Sequence, residues 1–313
     1  MEKKAEIIKP SILFHRNYLR FRGGHLKVFD YFNHAKFSDQ YHPEIYLTPQ
    51  SCLIHPWVGE PRIKDHYNPK SASILFLAGM DWTALSAYPD IENSIPVVNL
   101  IQGFRHSTPS TALFRLLRRR AIRICVSDEL AMALEATGIC NGPIYVIQNG
   151  IDLGLLPNSR CLGSETIFIG GVKQPSLASA LAERLRAQGY AVNCQTSHIP
   201  RSEFLEQLSR SKIAVLLPLE TEGFFLPALE AMAMGIAVIC PDCVGNRSFC
   251  VDKQTALMPL LDLECLEAAV KLLFLNPGLA AALCSKGKEM SLRHDIRTER
   301  NMFLNILHQI RPQ

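Results

Sequence analysis

Short apolar runs alternate along the whole chain with stretches whose apolar positions recur at helical spacing. The runs at 11–14, 43–48, 73–77, 96–101, 122–127 and 144–147 read as strands, with helical stretches around 24–36, 111–121 and 128–137 among them. The pattern then restarts. Strands are expected at 166–170, 190–196, 212–218, 236–241 and 255–260, separated by helices at about 176–188, 201–210, 227–234, 263–275 and 278–290. Continuous apolar strands alternating with helices predict parallel sheets covered on both faces. The polar, aperiodic segment LPNSRCLGSE (156–165) divides the two sets. The expectation is therefore an α/β protein of two Rossmann-like, doubly wound domains, 1–155 and 156–313, facing across a cleft. In such sheets ligands bind outside the carboxyl ends of the strands.

Composition narrows this only slightly. The chain has 313 residues, 48% hydrophobic and 20% charged, which excludes disordered and fibrous classes. Its net charge of +4 is too small for a nucleic-acid footprint, so no nucleic-acid partner is expected. The ten cysteines are scattered and often sit inside apolar runs, which suits a reducing compartment rather than a disulfide framework. The C-x-x-C of Cys240 and Cys243 has Cys250 nearby but no fourth ligand at zinc spacing, and reads as coincidence. The start, MEKKAEIIKP, has no apolar signal region, so a cytoplasmic location is expected.

The segment that carries chemistry runs from Glu220 to Gly235. A buried strand ends at Pro218, a polar turn follows, and a helix begins near Leu226 with Pro227 in its first turn. From Ala228 to Met234 every residue except Glu230 is apolar, as in a buried helix. A lone buried carboxylate needs a partner. Glu230 reads either as a charge compensating the helix dipole or as a ligand for ribose or sugar hydroxyls. Glu222 lies in the preceding turn beside Gly223, where the backbone can approach a ligand. The N–H groups of 223–226, those of Gly223, Phe224, Phe225 and Leu226, form an anion-receptive helix start. Carboxylate, glycine and helix start together suit a ligand with both phosphate and hydroxyls.

The run E-G-F-F-L-P-A-L-E-A-M-A-M-G (222–235) resembles the E-x7-E signature of retaining, GT-B-fold glycosyltransferases of the GT4 kind. QNGID (148–152), IFIGGVKQ (167–174), AVICPDCVGN (237–246) and GGHLKV (23–28) resemble further elements of that family in the expected order. The resemblance implies roles residue by residue. Glu222 would contact and orient the donor sugar, Glu230 would hold the ribose, and Lys173 would neutralise the leaving diphosphate. Gly223, Phe224, Phe225 and Leu226 would offer backbone donors. Gly23 and Gly24 would let the first domain approach the diphosphate. No metal or other cofactor is implied; the donor is a nucleotide-diphosphate sugar, with UDP, GDP and dTDP undistinguished.

The chain departs from the family pattern in two places. Where the family has an arginine in the phosphate loop this chain has Gly171, with Arg247 either a substitute on the donor side or a member of an ordinary surface salt bridge. Where it has a histidine after the fourth strand, Gln102 stands instead, with His106 a candidate catalytic replacement. Asp81 and Trp82 follow an N-domain strand and are candidates for the acceptor, with core packing the other reading of Trp82, and His25 lies beside the glycine loop. The arginine-rich stretch 114–123 reads either as a basic face for anionic membrane or as a solvated helix face. The last segment, 297–310, reads as an amphipathic helix, which the resemblance packs back onto the first domain. The expected activity is transfer of a sugar to a glycan or lipid-linked acceptor in surface polysaccharide synthesis, at the inner face of a membrane if 114–123 touches it. A GT-B-fold epimerase or phosphorylase, or a non-catalytic nucleotide-sugar-binding scaffold, are the alternatives.

Overall fold

A computed structural model describes residues 9–19, 23–158 and 166–310. These fall into two units. One holds the described residues up to Gln148 together with those from Glu299 onward; the other is Asn149–Thr298. The division therefore lies before the QNGID turn is complete, not at 155/156. The reason is local pairing: Ile151 N–H donates to the His294 carbonyl at 2.8 Å, and Ile296 N–H donates to the Ile151 carbonyl at 3.0 Å. Residues 159–165 of the expected linker lie outside the described residues.

The first unit contains β1 (Ser11–Arg16), α1 (Gly23–Phe37), β2 (His42–Leu47), β3 (Ile63–Lys64), β4 (Ile74–Ala78), β5 (Val97–Ile101), α2 (Ala112–Leu116), β6 (Ile122–Cys125), α3 (Asp128–Glu135) and β7 (Ile144–Val146). All strand pairs are parallel, in the order β3-β2-β1-β4-β5-β6-β7. Every residue of β4 and β5 is buried, as a strand covered on both faces requires. β3 is two residues long and carries no readable pattern. α2 is much shorter than the expected 111–121 helix. The cause is Arg123, whose buried guanidinium collects the carbonyls of Leu116, Leu117, Arg119, Ala121 and Asn141 and so ends the helix.

The second unit contains β8 (Ile167–Gly170), α4 (Pro175–Ala187), β9 (Val192–Gln195), α5 (Arg201–Ser209), β10 (Ile213–Leu216), α6 (Leu226–Ala233), β11 (Ala237–Ile239), α7 (Leu263–Leu275) and α8 (Pro277–Ser291). Its parallel sheet runs β11-β10-β8-β9. Side chains alternate across it. Ile167, Ile169, Ile213 and Val215 pack with α4 and α7, while Phe168, Ala214 and Leu216 pack with α5 and α6. The expected strand at 255–260 is absent. Only single bridges form there, Ile239 with Leu257 and Asp252 with Ala256, because the chain turns through Lys253 at φ 58°.

The final helix, α9 (Ile296–Gln309), enters the first unit at Glu299. Phe303 is fully buried against Tyr31 and Phe76. Glu299 is buried too, 2.6 Å from Lys27 Nζ and 2.9 Å from His34 Nε2. Burial pushes the Glu299 carboxyl up, but Lys27 and His34 outweigh it and hold the group below its ordinary value. Among the described residues no single helix is long and apolar enough to cross a membrane.

Candidate functional site

Strand order locates the ligand crevice of each sheet. In a doubly wound sheet it opens where the chain reverses its direction of winding. In the second unit that point lies between β8 and β10. Lys173 follows β8 and Glu222 follows β10, so the topology brings both to the same crevice. Lys173 Nζ stands 3.2 Å from Glu222 Oε1. That oxygen is closed off from solvent and has no hydrogen-bond partner, so the contact is an ion pair without hydrogen-bond geometry.

Two loops shape the crevice. A Cβ on Gly171 would come within 2.0 Å of the Ala178 Cβ, so the β8–α4 loop can lie flat on α4 only with glycine there. The position where the resemblance places an arginine thus has no room for a side chain; the cation on this loop is Lys173. Gln174 Nε2 donates to the Pro218 carbonyl at 3.3 Å and ties this loop to the end of β10. Beyond β11, a Cβ on Gly245 would meet the backbone of Glu222 and Phe224 at 2.6–2.7 Å. Close approach lets Phe225 N–H donate to the Gly245 carbonyl at 2.9 Å. The Phe225 donor expected for a ligand is therefore engaged within the protein. The N–H groups of Gly223, Phe224 and Leu226 have no backbone acceptor among the described residues.

Glu230 sits in the second turn of α6 with its side chain 2% exposed, ion-paired to Arg201 at the start of α5. The sequence reading missed Arg201. A signal was available, since a cation at a helix N-terminus opposes the helix dipole and needs an anion nearby. Arg247, the candidate substitute cation, instead forks onto Asp242 at 3.0 and 2.7 Å on the surface. Cys240, Cys243 and Cys250 are buried free thiols. Among the described residues no three His, Cys, Asp or Glu side chains are placed to hold a metal ion.

In the first unit the reversal falls between β1 and β4. Asp81 is there, but buried and saturated. It accepts from Arg16 Nη1 at 2.7 Å and from Ala78 N–H at 3.2 Å, with His15 Nδ1 at 3.3 Å. Arg16 also donates to His25 Nδ1 at 2.8 Å. Trp82 is 2% exposed in the core, with the Arg119 guanidinium over its ring. Neither side chain presents a face to an acceptor, because both are consumed in packing. His106 is corrected in the same way. It is buried, its Nδ1 is 3.0 Å from the Gly103 carbonyl, and burial pulls its pKa down to about 4. Gln102 is nearer the glycine loop, its Nε2 donating to the Gly24 carbonyl at 3.0 Å, with Gly23 exposed at the start of α1. In the arginine-rich stretch Arg123 is buried and Arg119 is held by Glu92, leaving Arg115, Arg118 and Arg120 at the surface.

With this geometry in place, similarity to known proteins becomes informative. Residues 159–276 match the protein family described as glycosyl transferases group 1. The match covers most of the second unit and includes Lys173, Arg201, Glu222 and Glu230. No curated protein sequence matches the chain. Solved structures match nearly end to end. HepE of Anabaena in complex with UDP-glucose has a TM-score of 0.75 at 14% identity, covering 96% of this chain and 100% of its own. Sucrose-phosphate synthase from Thermosynechococcus elongatus gives 0.70 at 14%, covering 96% and 99%. A glycosyltransferase from Rickettsia africae gives 0.68 at 14%, covering 95% and 97%. This chain has the GT-B fold.

Proposed function

We propose that the protein is a retaining glycosyltransferase of the GT4 kind, transferring a hexose from a nucleotide-diphosphate donor to a glycan or glycolipid acceptor. The observation that carries this is the meeting of Lys173 and Glu222 at the β8/β10 crevice, beside unengaged backbone donors, within the family-matched region. Cleaving the donor leaves charge on the diphosphate. An ammonium and N–H dipoles at the crevice stabilise it. Lys173 is half-exposed and free to swing from Glu222 to phosphate. Glu222, so released, takes the sugar hydroxyls, and the Glu230–Arg201 pair, its arginine partly exposed, receives the ribose diol. Because Lys173 and the helix start answer the diphosphate charge, we propose that catalysis is independent of metal. The role is assembly of surface polysaccharide in the cytoplasm, with Arg115, Arg118 and Arg120 as the residues through which anionic membrane would be touched.

The test is transfer from a panel of nucleotide sugars by Glu222→Ala and Glu230→Ala. Each should lower turnover about 100-fold or more through loss of donor positioning. Unchanged turnover in both would overturn the assignment. Product anomer by NMR tests retention, and activity in excess chelator tests metal independence. A second reading, binding without transfer, is favoured by one observation: His106, the candidate catalytic histidine, is buried and neutral. Donor binding with no turnover on any acceptor would select it.

A further inference from the structure

The side chain of Arg201 is 29% exposed, and one of its nitrogens, Nη1, is engaged by Glu230. Among the described residues Nε and Nη2 meet no partner. A guanidinium carries five donors and no acceptor. This one is held by a buried carboxylate and remains partly exposed. Its position along a bound donor follows from the proposed function, on which this inference rests. The sugar lies at Glu222, the diphosphate at Lys173 and the ribose at Glu230. The group attached to the far side of the ribose is the base, and Arg201 is the side chain against Glu230.

We infer that Arg201 is a specificity-determining residue that selects donors whose base carries ring carbonyl oxygens, uracil or guanine, over adenine. Fork-shaped donors match adjacent acceptors, such as O6 and N7 of guanine, whereas adenine places an amino donor where the fork needs an acceptor. Uracil has no adjacent acceptor pair, but either of its carbonyl oxygens has two lone pairs and can accept from both arms of the fork. The carboxylate beneath fixes the fork, so the preference depends on shape and not on charge alone. Lysine at this position keeps the charge and the ion pair but loses the fork.

The experiment is calorimetric titration of UDP, GDP and ADP into the full chain, as wild type, Arg201→Lys and the charge-neutral double variant Arg201→Gln with Glu230→Gln. Wild type should bind UDP or GDP about tenfold or more tighter than ADP. In Arg201→Lys, with circular dichroism unchanged, that ratio should fall below about threefold while ADP affinity stays within about twofold. The double variant keeps the protein testable if the lysine variant does not fold, and should show the same collapse of the ratio. A wild-type ratio near one, or a ratio unchanged by both substitutions, overturns the inference and leaves the transferase reading intact. No binding of any nucleoside diphosphate by wild type overturns both.

Discussion

The two sheets reverse their winding at equivalent places, and the two places are chemically opposite. At the β1/β4 reversal, Asp81, Arg16, His15 and His25 are locked in one hydrogen-bonded network, and Asp81 is 5% exposed. At the β8/β10 reversal, Lys173 and Glu222 meet at ion-pair distance without a hydrogen bond, and the lysine is 45% exposed. Buried, fully bonded charges are fixed, because moving them leaves a partner uncompensated. Loosely paired, half-wet charges can exchange partners at small cost. The same topology thus yields a fully bonded end in one unit and a loosely paired end in the other. The difference lies in whether neighbouring side chains satisfy the carboxylate.

The sharpest break in this contrast is Asp81→Ala. It removes one carboxylate and strands the Arg16 guanidinium and the Ala78 N–H in a closed site. A loss of about 3 kcal/mol in urea unfolding is expected, with UDP affinity of the folded fraction unchanged. Loss of transfer with stability altered by less than about 1 kcal/mol would return Asp81 to acceptor binding and erase the contrast.

A pH titration probes the sealed unit next. Burial depresses the His106 pKa to about 4 against an ordinary value of 6.5. Between those values the unfolded chain binds the proton and the folded one does not. The His106 contribution is therefore complete above pH 6.5 and is lost as pH falls toward 4. The difference of about 2.5 units corresponds to about 3 kcal/mol. Stability of His106→Asn should be flatter than wild type over that window. Parallel curves would show that the ring is not held neutral by its surroundings.

What was legible in the sequence follows the same physics. Strands of the doubly covered sheets were readable because every residue of β4, β5 and β10 is apolar except Asn99, which donates to the Leu77 carbonyl. The start of α6 was readable from Pro227 and the solitary Glu230 in an apolar helix. Pairing between distant segments was not. Arg201 at a helix start signals the need for an anion, but nothing local announces that the anion is Glu230, or that Arg123 caps α2. Trp82 and Asp81 follow a strand at its carboxyl end, where a ligand contact and a structural network leave identical sequence traces. His106 misled for the same reason: a histidine in a loop after a strand shows its chemistry, whereas its burial depends on chain far away. Gly171 looked like a missing arginine and proved to be a packing requirement set by Ala178 seven residues on.

The finest test separates two cations that both lie in loops after parallel strands of the second unit. Arg247 and Asp242 form a forked surface pair, each about half exposed. Such pairs contribute less than about 1 kcal/mol. Arg247→Ala should change neither stability beyond that nor UDP affinity. Lys173→Ala should cost more in unfolding, about 1–3 kcal/mol, since it leaves the closed-off Glu222 Oε1 with no cation beside it. It also removes the contact to diphosphate proposed above, about 1.5–3 kcal/mol, so UDP affinity should fall about tenfold or more. Calorimetry on both variants decides between them. Equal, small effects would mean that Lys173 is held by Glu222 as firmly as Arg247 is held by Asp242. The β8/β10 crevice would then be closed by its own ion pair, just as the β1/β4 crevice is closed by Asp81.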